Sequence, residues 1–180
     1  ELAQATGVEK YLEIAKAAAQ LLLSQAVAGT EGGWRWARDL NQPMLATQQW
    51  CHGVLGIGRF FLRLARQGPD PRYLEAARRA AQTVIGEIDE VEYSGLCHGV
   101  AGSGSFLLDC YQYFAEPRYL KEAQRCGERL QRFRVPDSTG VYAMTANGSI
   151  SPHLFRGYAG VGMFALRLAH PETLADPILG

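Results

Sequence analysis

Net charge is absent from this chain of 180 residues: 18 Lys and Arg stand against 18 Asp and Glu. Without a basic excess there is no general electrostatic pull on nucleic acid or on an anionic membrane surface, and only a local basic patch is left for either role. Lysine is scarce beside arginine, a bias that carries no functional reading. Long apolar runs are missing too. The best stretch, Ala15 to Ala28, is interrupted by Lys16, Gln20 and Gln25, short of the roughly 18 residues that a bilayer span needs. The opening Glu-Leu-Ala-Gln has neither the basic start of a secretory signal nor an initiator Met, so a piece of a longer protein is expected. Cysteine is limited to four residues, which does not make a disulfide scaffold in a chain of this length. Two of them sit beside His, so a reducing cytoplasm and a bound metal are expected instead.

What the chain does have is repetition, and repeats decide a fold before single elements do. Cys51-His52-Gly53-Val54-Leu55-Gly56-Ile57-Gly58 returns as Cys97-His98-Gly99-Val100-Ala101-Gly102-Ser103-Gly104, 46 residues later (97 minus 51). A third copy, Phe155-Arg156-Gly157-Tyr158-Ala159-Gly160-Val161-Gly162, keeps the glycines and replaces Cys-His with Phe-Arg. A second phrase repeats at the same spacing: Pro71-Arg72-Tyr73-Leu74-Glu75-Ala76-Ala77 and Pro117-Arg118-Tyr119-Leu120-Lys121-Glu122-Ala123, with a looser copy from Glu9 to Ala15.

Hydrophobic spacing predicts an amphipathic helix over about Val8 to Ala26. A polar, glycine-rich loop follows from Gly29 to Gln49; either it is functional or its tryptophans, Trp34 and Trp36, cap the edge of the core. From Cys51 to Arg66 the chain is apolar nearly all round, as a buried helix is. Gly68-Pro69-Asp70-Pro71 breaks it, with Asp70 as N-cap and Pro71 at the first helical position. An amphipathic helix over Arg72 to Glu87 and a turn over Glu90 to Gly95 come next. The pair then repeats: buried helix Cys97 to Phe114, amphipathic helix Arg118 to Arg132. A loop over Val135 to His153, with a short strand at Val141 to Thr145, leads to a last buried helix over Arg156 to Leu168. Pro171 and Pro177 end the chain without a full outer helix.

Alternating buried and amphipathic helices predict an all-α fold, an α/α toroid or solenoid with inner and outer helices. Three inner helices at most are too few to close a ring, so residues 1–180 are expected to be one domain segment, an incomplete arc. A dinucleotide fingerprint is excluded, because no strand precedes any glycine frame and the spacing is wrong.

Thiolate and neutral imidazole both suit Zn2+, which takes four tetrahedral ligands. Cys97 and His98 are neighbours, so they can share a metal only from a turn or helix start, where Gly99 would give the backbone freedom. Cys51, at the equivalent start, supplies the third ligand, leaving one open position as in catalytic zinc sites. The competing reading is small buried residues at crowded helix starts. Cys110 and Cys126 read as buried mid-helix thiols, His153 and His170 as solvated loop residues, and Tyr73 and Tyr119 as packing residues. Arg156 fills the His98 frame in the third copy, with a carboxylate or a helix end as its alternative partners.

Trp50-Cys51-His52-Gly53 and Leu96-Cys97-His98-Gly99, with the closing Leu154 to Gly162 and Leu166 to Pro171, resemble the LanC-like lanthionine cyclase family over about Trp34 to the end. The resemblance implies the carboxyl-terminal part of an α/α toroid in which two Cys and one His hold Zn2+. It implies an enzyme of carbon–sulfur bond formation: a substrate thiol, kept nucleophilic by zinc, adds to dehydroalanine or dehydrobutyrine in the same precursor peptide, and a positioned acid protonates the enolate. Other domains of the same synthetase are further expected partners. The family's acid His lies upstream of the first motif and has no counterpart here, and Thr47 stands four residues before Cys51 where the family carries Arg. His52 is therefore the candidate proton donor, against the plainer reading of a core histidine. The alternatives are a cyclase-like zinc protein that binds a thiol such as glutathione without cyclising, and a non-catalytic α/α scaffold stapled by structural zinc.

Overall fold

The computed structural model describes residues 2–39, 41–45, 48–68, 70–146 and 148–176, with the backbone alone at 30 and 42–45. Thr47, Pro69, Asn147 and Pro177 lie outside the described residues. The helices are α1 (Leu2–Thr6), α2 (Lys10–Ser24), α3 (Val54–Ala65), α4 (Pro71–Glu87), α5 (Val100–Phe114), α6 (Pro117–Arg129) and α7 (Tyr158–Ala169). The all-α reading holds. Asp70 caps α4 as expected: its carboxylate accepts from the Arg72 N–H, with Pro71 in the first turn.

Helices α3, α5 and α7 lie side by side, while α4 packs against α3 and α5, and α6 against α5 and α7. This layering follows from polarity. Every residue of α5 from Val100 to Leu108 is buried, whereas α6 buries only Tyr119, Ala123 and Cys126. Tyr73 and Tyr119 are buried in the core, as packing residues.

The glycine frames set how closely the row packs. A Cβ on Gly58 would meet the Phe106 ring at 2.5 Å, and one on Gly104 would meet Phe164 at 2.3 Å. Helices α3 and α5 thus each seat the phenylalanine of the next helix in the row against their own bare backbone. Phe106 and Phe164 are fully buried there, a burial that contributes about 1.5–3 kcal/mol per ring. Gly162, the third member, faces open space.

Two readings are corrected. The expected Gly29 to Gln49 loop, together with the two residues before it, holds two small antiparallel hairpins: β1 (Val27–Ala28) with β2 (Trp34–Arg35), and β3 (Ala37–Asp39) with β4 (Gln42–Leu45). Their strands are too short for alternation to register in the sequence. Trp36 is buried and donates its indole N–H to the Leu22 carbonyl at 2.8 Å, so it caps the core edge. The expected strand at Val141 to Thr145 shrinks to one isolated bridge between Arg134 and Tyr142.

Candidate metal centre

The cluster sits on the first two of three linked turns, which precede α3, α5 and α7. Each helix begins two or three residues later than its Cys-His or Phe-Arg pair, with Gly53, Gly99 and Gly157 as N-caps. The Trp50 N–H donates to the Cys97 carbonyl, and the Cys97 N–H to the Phe155 carbonyl, both at 2.8 Å. Backbone hydrogen bonds therefore link the three turns in a row, and the Trp50 and Phe155 rings pack 5.6 Å apart across them.

The first-turn N–H groups of a helix have no partner within it. At α5 they are met by the preceding turn: Val100 donates to Tyr93, Ala101 to Ser94 and Gly102 to Gly95. That turn lies so close that a Cβ on Gly99 would come within 2.5 Å of three backbone atoms. Its backbone (φ −131°, ψ −178°) is extended and open to any residue. The glycine is needed for space, not for the conformational freedom expected of it.

Cys51, Cys97 and His98 converge, their ligand atoms all within 4.8 Å of one another. Cys51 Sγ lies 3.8 Å from His98 Nε2, close to the roughly 3.6 Å edge of a tetrahedron with Zn–S near 2.3 Å and Zn–N near 2.1 Å. Cys51 is exposed and Cys97 buried. Burial, reinforced by contact with Cys51, pushes the Cys97 thiol up to about 11. Burial also lowers His98, helped by the charges of His52 and Arg156, which keeps its imidazole neutral as a ligand must be. Among the described residues His98 Nδ1 is buried without a hydrogen-bond partner. Two soft sulfurs, one of them burial-disfavoured as a thiolate, and one neutral imidazole form a donor set that a divalent cation would suit.

His52 stands apart from this trio. Its ring packs edge-on to His98, centroids 5.9 Å apart, and its buried Nδ1 has no hydrogen-bond partner among the described residues. Cys51 and His52 line a groove of about 1290 Å3 that also runs past Tyr11, Leu22, Trp36 and Phe60. Cys110 and Cys126 are buried thiols, and His153 and His170 are exposed, as expected. Arg156 is exposed beside the cluster.

One supporting chain escaped the sequence reading. Ser103 of α5 donates to Gln48 Oε1, Gln48 Nε2 donates to Glu87 of α4, and Glu87 pairs with Arg35 of β2. This buried relay fixes the segment leading into Trp50 and Cys51. Its members share no frame, so no local signal could have joined them.

The lanthionine synthetase C-like family matches residues 1–179, further toward the start than the motifs from Trp34 onward suggested. No curated protein matches the chain. Members of the family act on peptide substrates and generally bind zinc. A match over nearly the whole sequence, which takes in the Cys-Cys-His cluster, shows that this chain belongs to the lanthionine synthetase C-like family.

Proposed function

We propose that this chain carries the metal half of a lanthionine cyclase site, with Cys51, Cys97 and His98 as zinc ligands. The observation that carries the reading is the convergence of those three donors from two repeats of a family member. Zinc held there would acidify a substrate Cys thiol and keep it as a nucleophilic thiolate near neutral pH. The thiolate adds to the β-carbon of a dehydroalanine or dehydrobutyrine in the same precursor peptide. The alkene pair moves onto the adjacent carbonyl as an enolate, and a proton delivered to Cα completes the (methyl)lanthionine. Cys51, exposed at the mouth of the groove, favours an open fourth position over a closed structural site, and among the described residues no fourth donor joins the trio. His52, lining the groove beside Cys51, is the proton donor in this reading.

The reading takes residues 1–180 as one segment of an α/α toroid, the carboxyl-terminal part of a longer cyclase domain that can adjoin other synthetase domains. The Gly-to-Phe register supports it, since Gly162 has room where its counterparts hold the next phenylalanine. Thiolate ligation fits a reducing compartment such as the cytoplasm, and among the described residues no helix is long and apolar enough to cross a membrane.

Metal analysis tests the site: one Zn2+ per chain is expected, with at least tenfold weaker binding after Cys51→Ala, Cys97→Ala or His98→Ala. Full zinc retention in the variants would sink it. Incubating the protein with a dehydrated, cysteine-containing peptide, then alkylating free thiols before mass spectrometry, reads cyclisation directly. His52→Asn should slow that reaction while zinc stays bound; an unchanged rate removes His52 from the mechanism.

A further inference from the structure

His98 lines a second cavity, of about 190 Å3, together with Tyr93, Thr145, Ser149 and Arg156. Its wall is fixed by hydrogen bonds. The Ser94 N–H donates to the Met144 carbonyl at 2.9 Å, the Ser94 hydroxyl to the Ala143 carbonyl at 2.7 Å, and the Met144 N–H to the Ser149 carbonyl at 3.1 Å. The opposite side is equally close-set: a Cβ on Gly95 would come within 2.9 Å of the Arg156 backbone. The cavity is therefore a formed recess beside one of the proposed ligands.

Arg156 is the distinctive residue in it. Where the first two frames place imidazoles, the third places a guanidinium, a planar fork of hydrogen-bond donors. Most arginines in this protein are committed: Arg59, Arg72, Arg78, Arg79, Arg118, Arg125, Arg129 and Arg167 all have carboxylate partners. Among the described residues no ion pair or side-chain hydrogen bond holds Arg156. It lines the same recess as His98. A guanidinium with no carboxylate partner among the described residues, in a recess with hydroxyl-bearing walls beside the proposed metal site, suits an oxygen that becomes negative.

We infer that Arg156 and this cavity form an oxyanion subsite for the carbonyl oxygen of the dehydroamino acid. The inference rests on the cyclase reading and adds the residue that receives the developing charge. As the S–Cβ bond forms, the Cα=Cβ pair shifts to Cα=C and the carbonyl π pair settles on oxygen. The guanidinium donates hydrogen bonds to that oxygen, stabilising the charge where it develops. Protonation at Cα then restores the carbonyl and releases the contact.

The test needs no turnover. The protein loaded with Co2+ is titrated with 3-mercaptopropionate and with neutral 3-mercaptopropanol, following the thiolate-to-cobalt absorption band. The carboxylate thiol should bind about tenfold more tightly, the scale of one charge-assisted hydrogen bond. Arg156→Gln should abolish that preference and Arg156→Lys restore part of it, with Co2+ uptake unchanged in both. Equal binding of the two thiols, or a preference that survives Arg156→Gln, overturns the subsite while leaving the metal reading intact. Absence of any thiolate band in the unmodified protein overturns both. In the cyclisation assay the same Gln variant should lower kcat rather than raise KM; the reverse would assign Arg156 to ground-state binding and refute its role toward the enolate.

Discussion

Cys51 is exposed, Cys97 is buried beside it, and Cys110 and Cys126 are sealed in α5 and α6, so four identical side chains should react at very different rates. Only the thiolate is nucleophilic, and burial suppresses it. Iodoacetamide under native conditions should label Cys51 first and Cys97 slowly. Cys126, pushed up to about 12 by burial, and Cys110, raised by burial as well, should label only after denaturation. Zn2+ should protect Cys51 and Cys97 alone; peptide mapping by mass spectrometry reads all four, and native labelling of Cys126 would contradict the burial. The same groups set a pH window for the metal-free fold. Cys97 and Cys126 hold their protons more tightly folded than at the ordinary value of 9.0, so their stabilisation is full below pH 9 and lost as pH rises through 9 toward 11 to 12. His98 is shifted the opposite way, below its ordinary 6.5, so its contribution is present above 6.5 and lost as pH falls below it. Urea midpoints should therefore plateau between about pH 6.5 and 9 and fall on both sides. The convergence of Cys51, Cys97 and His98 was legible because the two Cys-His pairs occupy matching frames. The Ser103–Gln48–Glu87–Arg35 relay was not, because its members meet only across elements.

At the level of helices the sequence was informative about type and less so about limits. Apolar patterning marked α3, α5 and α7 as the buried row and α4 and α6 as their covers. It started the buried helices at Cys51, Cys97 and Arg156, whereas they begin at Val54, Val100 and Tyr158. The difference matters chemically, since it puts the Cys-His pairs in turns, where neighbouring side chains can reach one point. The glycine frames can be tested by contrast. Gly104→Ala would drive a methyl into Phe164 and should cost about 1–3 kcal/mol, as overpacking does. Gly162→Ala meets nothing and should be neutral or stabilising by up to about 1 kcal/mol, the helix-propensity gain. Equal losses in urea melts would mean that the register described for the row is wrong.

Across the whole molecule, the row of inner helices is held at two ends. One end is the chain of linked turns that carries the cluster. The other is a buried charge ring: Arg59 of α3 pairs with Asp109 of α5 and with Asp176, both at 2.8 Å, while Arg167 of α7 reaches the same two carboxylates at 2.6 and 3.4 Å. All four side chains are at most 13% exposed. Removing one partner leaves buried charge uncompensated, so Asp109→Asn should cost about 3–5 kcal/mol. Glu75→Gln, which breaks the exposed pair with Arg79, should cost no more than about 0.5 kcal/mol; thermal melts separate the two. The ring also marks where sequence reading stops. Helix type, the buried row, the N-cap at Asp70 and the three candidate ligands follow from local pattern and repeat frame, because periodicity and capping act over a few residues and a repeat carries one solution to the next copy. Which turn hydrogen-bonds to which, why Gly99 must be glycine, which recess Arg156 lines and how four charges are buried together were decided only by the tertiary structure. Each depends on atoms from separate helices brought within a few ångströms, and such proximity leaves no periodic trace along the chain.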